Sequence, residues 1–445
     1  MKKLLVIFSA ALIVCFTSCK KDSLDEVQPV QATFQLNFAT AVKDLNFPLT
    51  NAVITLTNKL DGKINSATAD ASGKVVFASI TPGNYSAVAT LTISASEYSN
   101  LTGTTVSQDV VFNASSEANI VAGTAPLQLT LQSGKLGDWT IKQIYYGGSS
   151  STNGALYRDQ FIEIFNNSTD VLYADSLYIS LIYGKNTRVS SVDITQPAFQ
   201  QNGQLNWANS IGMNATNANT AFIYIKSLLM IQGTGKQYPV QPGASIIIAQ
   251  NAINHKTPYT GTDGKSYSVK QPELTIDLSG ADFETYYGDI PGLNPLGSDT
   301  DNPNVKNVKV LMTDDRDMIL NNNGYEGVAI FKMKDDPITA LPGFPSPEAK
   351  TVTSTTILYK QLPIGQVIDA VDIAHTSPAS RAAKRMPDPI DAGFAFTQGG
   401  SYSSQSVIRK TSKVLNGRRI LKDTNNSTND FDYLILADPT KTIFK

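Results

Sequence analysis

The stretch Tyr157–Asp175, YRDQFIEIFNNSTDVLYAD, constrains the fold more than any other part of this chain. Phe161, Ile162, Ile164 and Phe165 surround a single carboxylate, Glu163. Four β-formers in five residues suit a strand inside a sandwich core better than a helix. Asn166-Asn167-Ser168 then breaks the strand with side chains that bond their own backbone and tolerate left-handed turns. Val171–Tyr173 and Leu177–Ile182 resume an extended apolar pattern. The stretch therefore predicts a hairpin around which a large β domain is built. Glu163 is expected on the solvent side of its strand, and it is the first carboxylate to test for hydrolytic chemistry.

Short β-like runs separated by Gly, Pro, Asn and Asp turns extend over most of the 445 residues, a length that calls for more than one domain. The two cysteines, Cys15 and Cys19, both lie near the N-terminus, which excludes a disulfide framework or thiolate metal site from the rest of the chain. Two histidines, His255 and His375, limit imidazole chemistry. The formal net charge of −2 provides no general attraction to nucleic acid, and Arg381–Arg385, Arg409-Lys410 and Arg418-Arg419 read as surface charge.

Met1-Lys2-Lys3 followed by the apolar run Leu4–Phe16 has the form of a signal peptide, too short to span a membrane. Thr17-Ser18-Cys19 resembles a bacterial lipobox, with Phe16 standing where that pattern usually has leucine. The resemblance implies residues 1–18 as a lipoprotein signal peptide, lipid attachment at Cys19 and a tether over 19–29. Lys20–Glu26, KKDSLDE, is similar to signals that send Bacteroidetes lipoproteins to the cell surface. It implies an outer-membrane anchor with the protein facing outward; the periplasmic face is the alternative.

Thr33–Phe38 alternates with Phe34, Leu36 and Phe38 on one side, and turns at Asp61-Gly62, Gly73 and Pro82-Gly83 separate further strands. Val53, Asp70, Gly73, Phe77, Pro82, Gly83 and Tyr85 resemble the carboxypeptidase regulatory-like and Cna-B-like modules of prealbumin type. That resemblance implies a spacer or docking sandwich over 30–132. The polar stretch from Gln132 to Asp138 marks the boundary.

From Trp139 onward, WTIKQIYY, FIEIFNNS, PGASIIIA, DAVDI, SVIRK and DTNNSTNDF occur in an order that resembles the lamin-tail domain, an immunoglobulin-like sandwich. The set as a whole is similar to the DUF4876 family of Bacteroidetes lipoproteins. The expectation is thus all-β: two β-sandwich domains, the second over 139–445 with long insertions near 184–237 and 254–323. An immunoglobulin-like core needs only about 100 residues, so whatever is particular to this chain is expected in the insertions. Tyr286, Tyr287, Asp289 and His255 are the loop candidates for ligand contact there.

Recognisable catalytic motifs are missing. Gly147–Gly154 lacks the residues of a phosphate loop. His375 has Asp372 and Ser377 near in sequence, but no triad motif surrounds it. Glu273 and Glu284 are unmarked carboxylates. Asp423, Asn425 and Asp430 have a faint calcium-loop spacing without the central glycine and closing glutamate. Asp299, Asp301 and Asn302 form a second weak calcium candidate, and Asp314–Asp317 reads as a solvated turn. No cofactor is expected beyond calcium at one of these places. The function implied by resemblance is a non-catalytic binding module for an unknown extracellular ligand, serving beside a TonB-dependent transporter. A structural or adhesive surface protein is the alternative, with a hydrolase behind it. The expected partners are the membrane, through the lipid, and that transporter; nucleic acid is not one.

Overall fold

The computed structural model describes residues 27–38, 47–102, 109–133, 139–168, 170–415 and 417–445. Cys19, the leader and most of the tether lie outside the described residues, as does the stretch 134–138 expected to separate the two domains. The fold is all-β, with only short helices between strands.

Seven strands form the N-terminal sheet, in the order Ile64–Thr68, Val53–Asn58, Gly83–Ile93, Val110–Ile120, Leu127–Ser133, Val30–Phe38, Lys74–Ile80. Ala32, Phe34 and Leu36 alternate inward along Val30–Phe38, and Ile54, Leu56, Tyr85, Ala87 and Ala89 do so from the facing strands. All join one core, so the sheet closes over itself as a sandwich. Gly73 is obligatory at its turn: it has φ +81°, and a Cβ there would lie 2.8 Å from the Leu36 carbonyl oxygen. The sequence did not predict the helix Ala95–Thr102 that follows Ile93.

A larger sheet begins at Trp139. Its order is Val367–Ile373, Glu326–Phe331, Tyr178–Ile182, Phe222–Met230, Lys306–Met312, Phe283–Thr285, Ser245–Ala249, Phe161–Asn166, Trp139–Tyr145, Ser406–Arg409, Phe431–Leu434. Tyr359–Pro363 adds to Phe222–Met230 beside this path. One core contains Ile162, Ile164, Ile246 and Ile248 from one half together with Ile179, Leu181, Val328 and Ile330 from the other. The two halves of the sheet therefore face each other. Their outer faces are covered as well: Phe161 and Ile247 pack with Ile276 and Leu278, and Phe331 and Ile225 pack with Leu341 and Leu362. Burial on both faces explains why FIEIF and SIIIA are apolar without alternating.

The expected hairpin does not form. Phe161–Asn166 pairs with Trp139–Tyr145 and Ser245–Ala249, whereas Tyr178–Ile182 pairs with Phe222–Met230 and Glu326–Phe331 in the opposite half. The Asn166–Ser168 turn is a crossover between the two layers. Asn166 holds it by accepting from Ser168 and donating to the Asp170 and Val240 carbonyls. The two insertions also supply sheet: Phe222–Met230 from the first, and Phe283–Thr285 and Lys306–Met312 from the second.

The N-terminal sheet touches the rest of the chain through polar contacts. The Ser115 hydroxyl donates to Asp388 Oδ1 at 2.5 Å, and the buried Asn113 donates to the Thr424 carbonyl.

Candidate functional site

Glu163 is fully buried, contrary to the sequence expectation, and its position follows from a β-bulge. Ile141 pairs with Ile164 and Gln143 pairs with Glu163, so Lys142 is the extra residue. Lys142 and Gln143 can therefore both reach Glu163: Lys142 Nζ lies 2.9 Å from Oε1, and Gln143 Nε2 donates to Oε2 at 3.1 Å. Ser245 Oγ donates to Oε1 at 2.5 Å. Burial pulls the Lys142 pKa down against the opposing charge of Glu163. The carboxylate is saturated by structural partners and shielded from substrate.

The calcium reading of Asp423 and Asp430 is also overturned, because a cation of the chain itself is there. Arg409 is buried, with Nη2 2.6 Å from Asp369 and Nη1 3.1 Å from Asp423 and 3.6 Å from Asp430. Burial opposes the Arg409 charge, but the three carboxylates outweigh it and raise its pKa. Asn425 adopts φ +52° in this turn, and Asn426 caps the short helix Ser427–Asp430. The DAVDI, SVIRK and DTNNSTNDF segments, far apart in sequence, thus meet at one guanidinium.

The hydrolase candidates do not converge. The Ser377 backbone N–H donates to His375 Nδ1, while Asp372 is buried and accepts from the Arg385 and Met386 backbone. His255 is buried beside the Asn251 carbonyl, and burial lowers its pKa to about 4. Tyr287, offered as a ligand contact, is wholly buried; Tyr286 is half-buried and Asp289 exposed. Asp314, Asp315 and Arg316 are exposed, as expected of a solvated turn, but Asp317 is buried, and Arg316 donates to the Asn294 and Pro295 carbonyls instead of to a carboxylate. Among the described residues no group of three or more His, Cys, Asp or Glu is placed to hold a metal.

The cleft that remains is one no residue in the sequence singled out. It is a shallow cleft open to solvent, lined by Tyr183, Lys185, Gln204, Trp207, Phe222 and Arg385 among others. Trp207 stacks on Tyr224 at 3.5 Å and 6°, and Tyr183 stacks on Tyr359 at 3.7 Å and 15°. The buried Trp207–Tyr224 pair forms a rigid floor, with Tyr224 Oη donating to the Ala218 carbonyl and accepting from Gln361. Tyr183 and Phe222 are only half-buried. Arg385 crosses the wall with Nη2 on the Lys185 and Tyr325 carbonyls and Asn186 Oδ1. Gly184 makes room for it, since a Cβ there would lie 2.6 Å from Arg385 Cγ. The arrangement offers aromatic surface beside amide and cationic groups, which suits binding. The aromatic content of the first insertion was its only sequence signal.

Residues 241–436 match the family model described as protein of unknown function (DUF4876). That match covers PGASIIIA, DAVDI, SVIRK and DTNNSTNDF, and it bears out the DUF4876 resemblance read from them. A DUF4876 family protein from Bacteroides thetaiotaomicron VPI-5482 is similar in structure, with TM-score 0.49 and 23% identity over 91% of this chain and 95% of that one. A DUF3823 family protein from Parabacteroides merdae matches at TM-score 0.16 and 9% identity, over 35% of this chain and 67% of that one. An adhesin-like protein from Bacteroides ovatus matches at TM-score 0.18 and 13% identity, over 52% and 87%. No curated protein matches the chain.

Proposed function

We propose that this chain is a non-catalytic binding module of the cell surface, anchored in the outer membrane through lipid on Cys19 and facing outward. One observation carries the binding part. Glu163, Glu284, Asp372 and His255 are buried in structural contacts, while half-exposed aromatic and polar side chains gather at a cleft on a rigid floor. No described helix is long and apolar enough to cross a membrane, and the anchor reading rests on the lipobox alone. Service beside an outer-membrane transporter is the further part of the reading, supported by the family resemblance and tested by co-purification with a β-barrel.

The binding part is tested by screening a panel of soluble oligosaccharides and peptides against the full chain and Phe222→Ala. Phe222 lies on the rim of the cleft and is half-buried, so the substitution leaves the core intact. Binders weakened about tenfold or more by Phe222→Ala are expected, equivalent to about 1.4 kcal/mol. Binders indifferent to the change would place recognition elsewhere on the molecule.

A further inference from the structure

The cleft is assembled where two paired strands end. The Tyr183 N–H donates to the Tyr224 carbonyl at 2.7 Å, which carries the ladder between Tyr178–Ile182 and Phe222–Met230 one residue past Ile182. Tyr183 therefore reaches the start of the neighbouring strand, where Phe222 lies, and Trp207 stacks on Tyr224 from the first insertion. Lys185, Lys384 and Arg385 supply the charged part of the lining, and among the described residues no Asp or Glu lines the cleft.

The partners of these polar groups decide which of them has capacity left. Both ends of each lining amide are engaged. Gln204 Nε2 donates to the Lys384 carbonyl and Oε1 accepts from Asn202, while Asn219 Nδ2 donates to the Leu205 carbonyl and Oδ1 accepts from the Trp207 N–H. Lys185 is paired with Glu348 at 2.9 Å, and Lys384 with Asp388 at 3.0 Å. Arg385 differs. Among the described residues its guanidinium is in no ion pair, and its hydrogen bonds all run from Nη2, to two carbonyls and Asn186 Oδ1. Its Nε is buried without a partner. Asp372 meets this residue through the backbone N–H, not through the guanidinium. The wall of the cleft thus holds a cation with no carboxylate and an incomplete set of acceptors. A guanidinium in that state selects a carboxylate over a neutral group.

The shape decides what carries the carboxylate. Peptides are recognised along a free sheet edge or in a helix-wide groove. The strand at this cleft is paired on both sides, with Tyr359–Pro363 along Phe222 to Ile225 and with Tyr178–Ile182 from Ile225 onward. A sugar ring needs only aromatic surface for its apolar face and a polar anchor beside it, and the half-buried Tyr183 and Phe222 rings supply that surface. We propose, taking the cleft as the binding site, that it binds an acidic sugar, with the ring on Phe222 and Tyr183 and the carboxylate on Arg385.

The test measures binding of the full chain to a panel of carboxylated oligosaccharides, both oligohexuronates and sialylated chains, each paired with its neutral methyl ester. At least one acid is expected to bind about tenfold tighter than its ester. That preference is expected to shrink as sodium chloride rises from about 50 to about 500 mM, because salt screens the pairing. Phe222→Ala should weaken acid and ester alike, and Arg385→Gln should remove the difference between them. If Arg385→Gln does not fold, the acid–ester pairs and the salt series on the unaltered chain decide. A panel in which no acid outbinds its ester overturns the proposal; esters still weakened by Phe222→Ala would leave the cleft as the binding site. An acid preference that survives in folded Arg385→Gln, or that ignores Phe222→Ala, overturns it by placing the charge recognition elsewhere. Oligoglutamate that binds more tightly than every acidic sugar, with the same dependence on Phe222, overturns the assignment to a sugar.

Discussion

Lys142 Nζ lies 2.9 Å from Glu163 Oε1, with the side chains 1% and 0% exposed, because a one-residue bulge turns Lys142 toward its neighbour strand. Lys142 also donates to the Lys441 carbonyl and sits 3.9 Å over the Phe444 ring. The pair therefore ties the C-terminal segment to the strand at which the larger sheet begins. Lys142→Met leaves Glu163 buried without its cation and is expected to cost about 3–5 kcal/mol. Adding Glu163→Leu should recover much of that loss. Urea unfolding of the two single variants and the double closes the cycle; a double variant as unstable as the sum of the singles would show that the residues do not act as a pair.

Arg409 faces three carboxylates from two other segments. Arg409→Ala is expected to destabilise by more than about 3 kcal/mol, since Asp369, Asp423 and Asp430 would be left as buried like charges. Thermal unfolding reads this as a fall in Tm of several degrees or more.

Asp159 gives a pH dependence of definite sign. Its Oδ2 accepts from Tyr145, Ser149 and Thr275, yet burial raises its pKa to about 6. The folded state then holds its proton more tightly than the unfolded state, whose pKa is about 3.9. The contribution is favourable below about pH 4 and is lost as pH rises through 6. Asp159→Asn is expected to flatten the dependence of unfolding free energy on pH between 4 and 6; an unchanged slope would refute the assignment.

At the cleft, Trp207 and Phe222 should separate stability from recognition. Trp207 is buried and stacked on Tyr224, so Trp207→Ala is expected to cost about 3–5 kcal/mol. Phe222 is only half-buried, and Phe222→Ala should cost clearly less. Chemical denaturation of both variants decides whether the aromatic floor is as rigid as its packing implies.

Cys19→Ala is expected to move the protein from the membrane fraction to the soluble fraction, because acyl chains at about 0.8 kcal/mol per buried methylene would hold it there. Mass spectrometry of the N-terminal peptide should find the lipid; an unmodified Cys19 would remove the anchor from the proposal.

Short-range chemistry made several features legible before any coordinates. Alternation at Phe34 and Leu36 marked a sandwich strand, Gly73 marked a tight turn, and the apolar runs FIEIF and SIIIA marked core strands. The DUF4876 resemblance was readable because its motifs survive as local strings. Three-dimensional neighbours decided the rest. Whether Glu163 faces water depends on a bulge and on a serine 82 positions away, neither of which β-periodicity reveals. Whether Asp423 and Asp430 await calcium depends on an arginine from another strand. The pairing of Phe161–Asn166 with residues on both sides of it in sequence, but not with the next strand, is set by which faces two stacked layers can bury together. Sequence determined which segments become strands, because that is a property of side chains at a period of two. Tertiary structure alone decided what each buried charge meets, because in a low-dielectric interior the partner that neutralises a charge can come from anywhere in the chain.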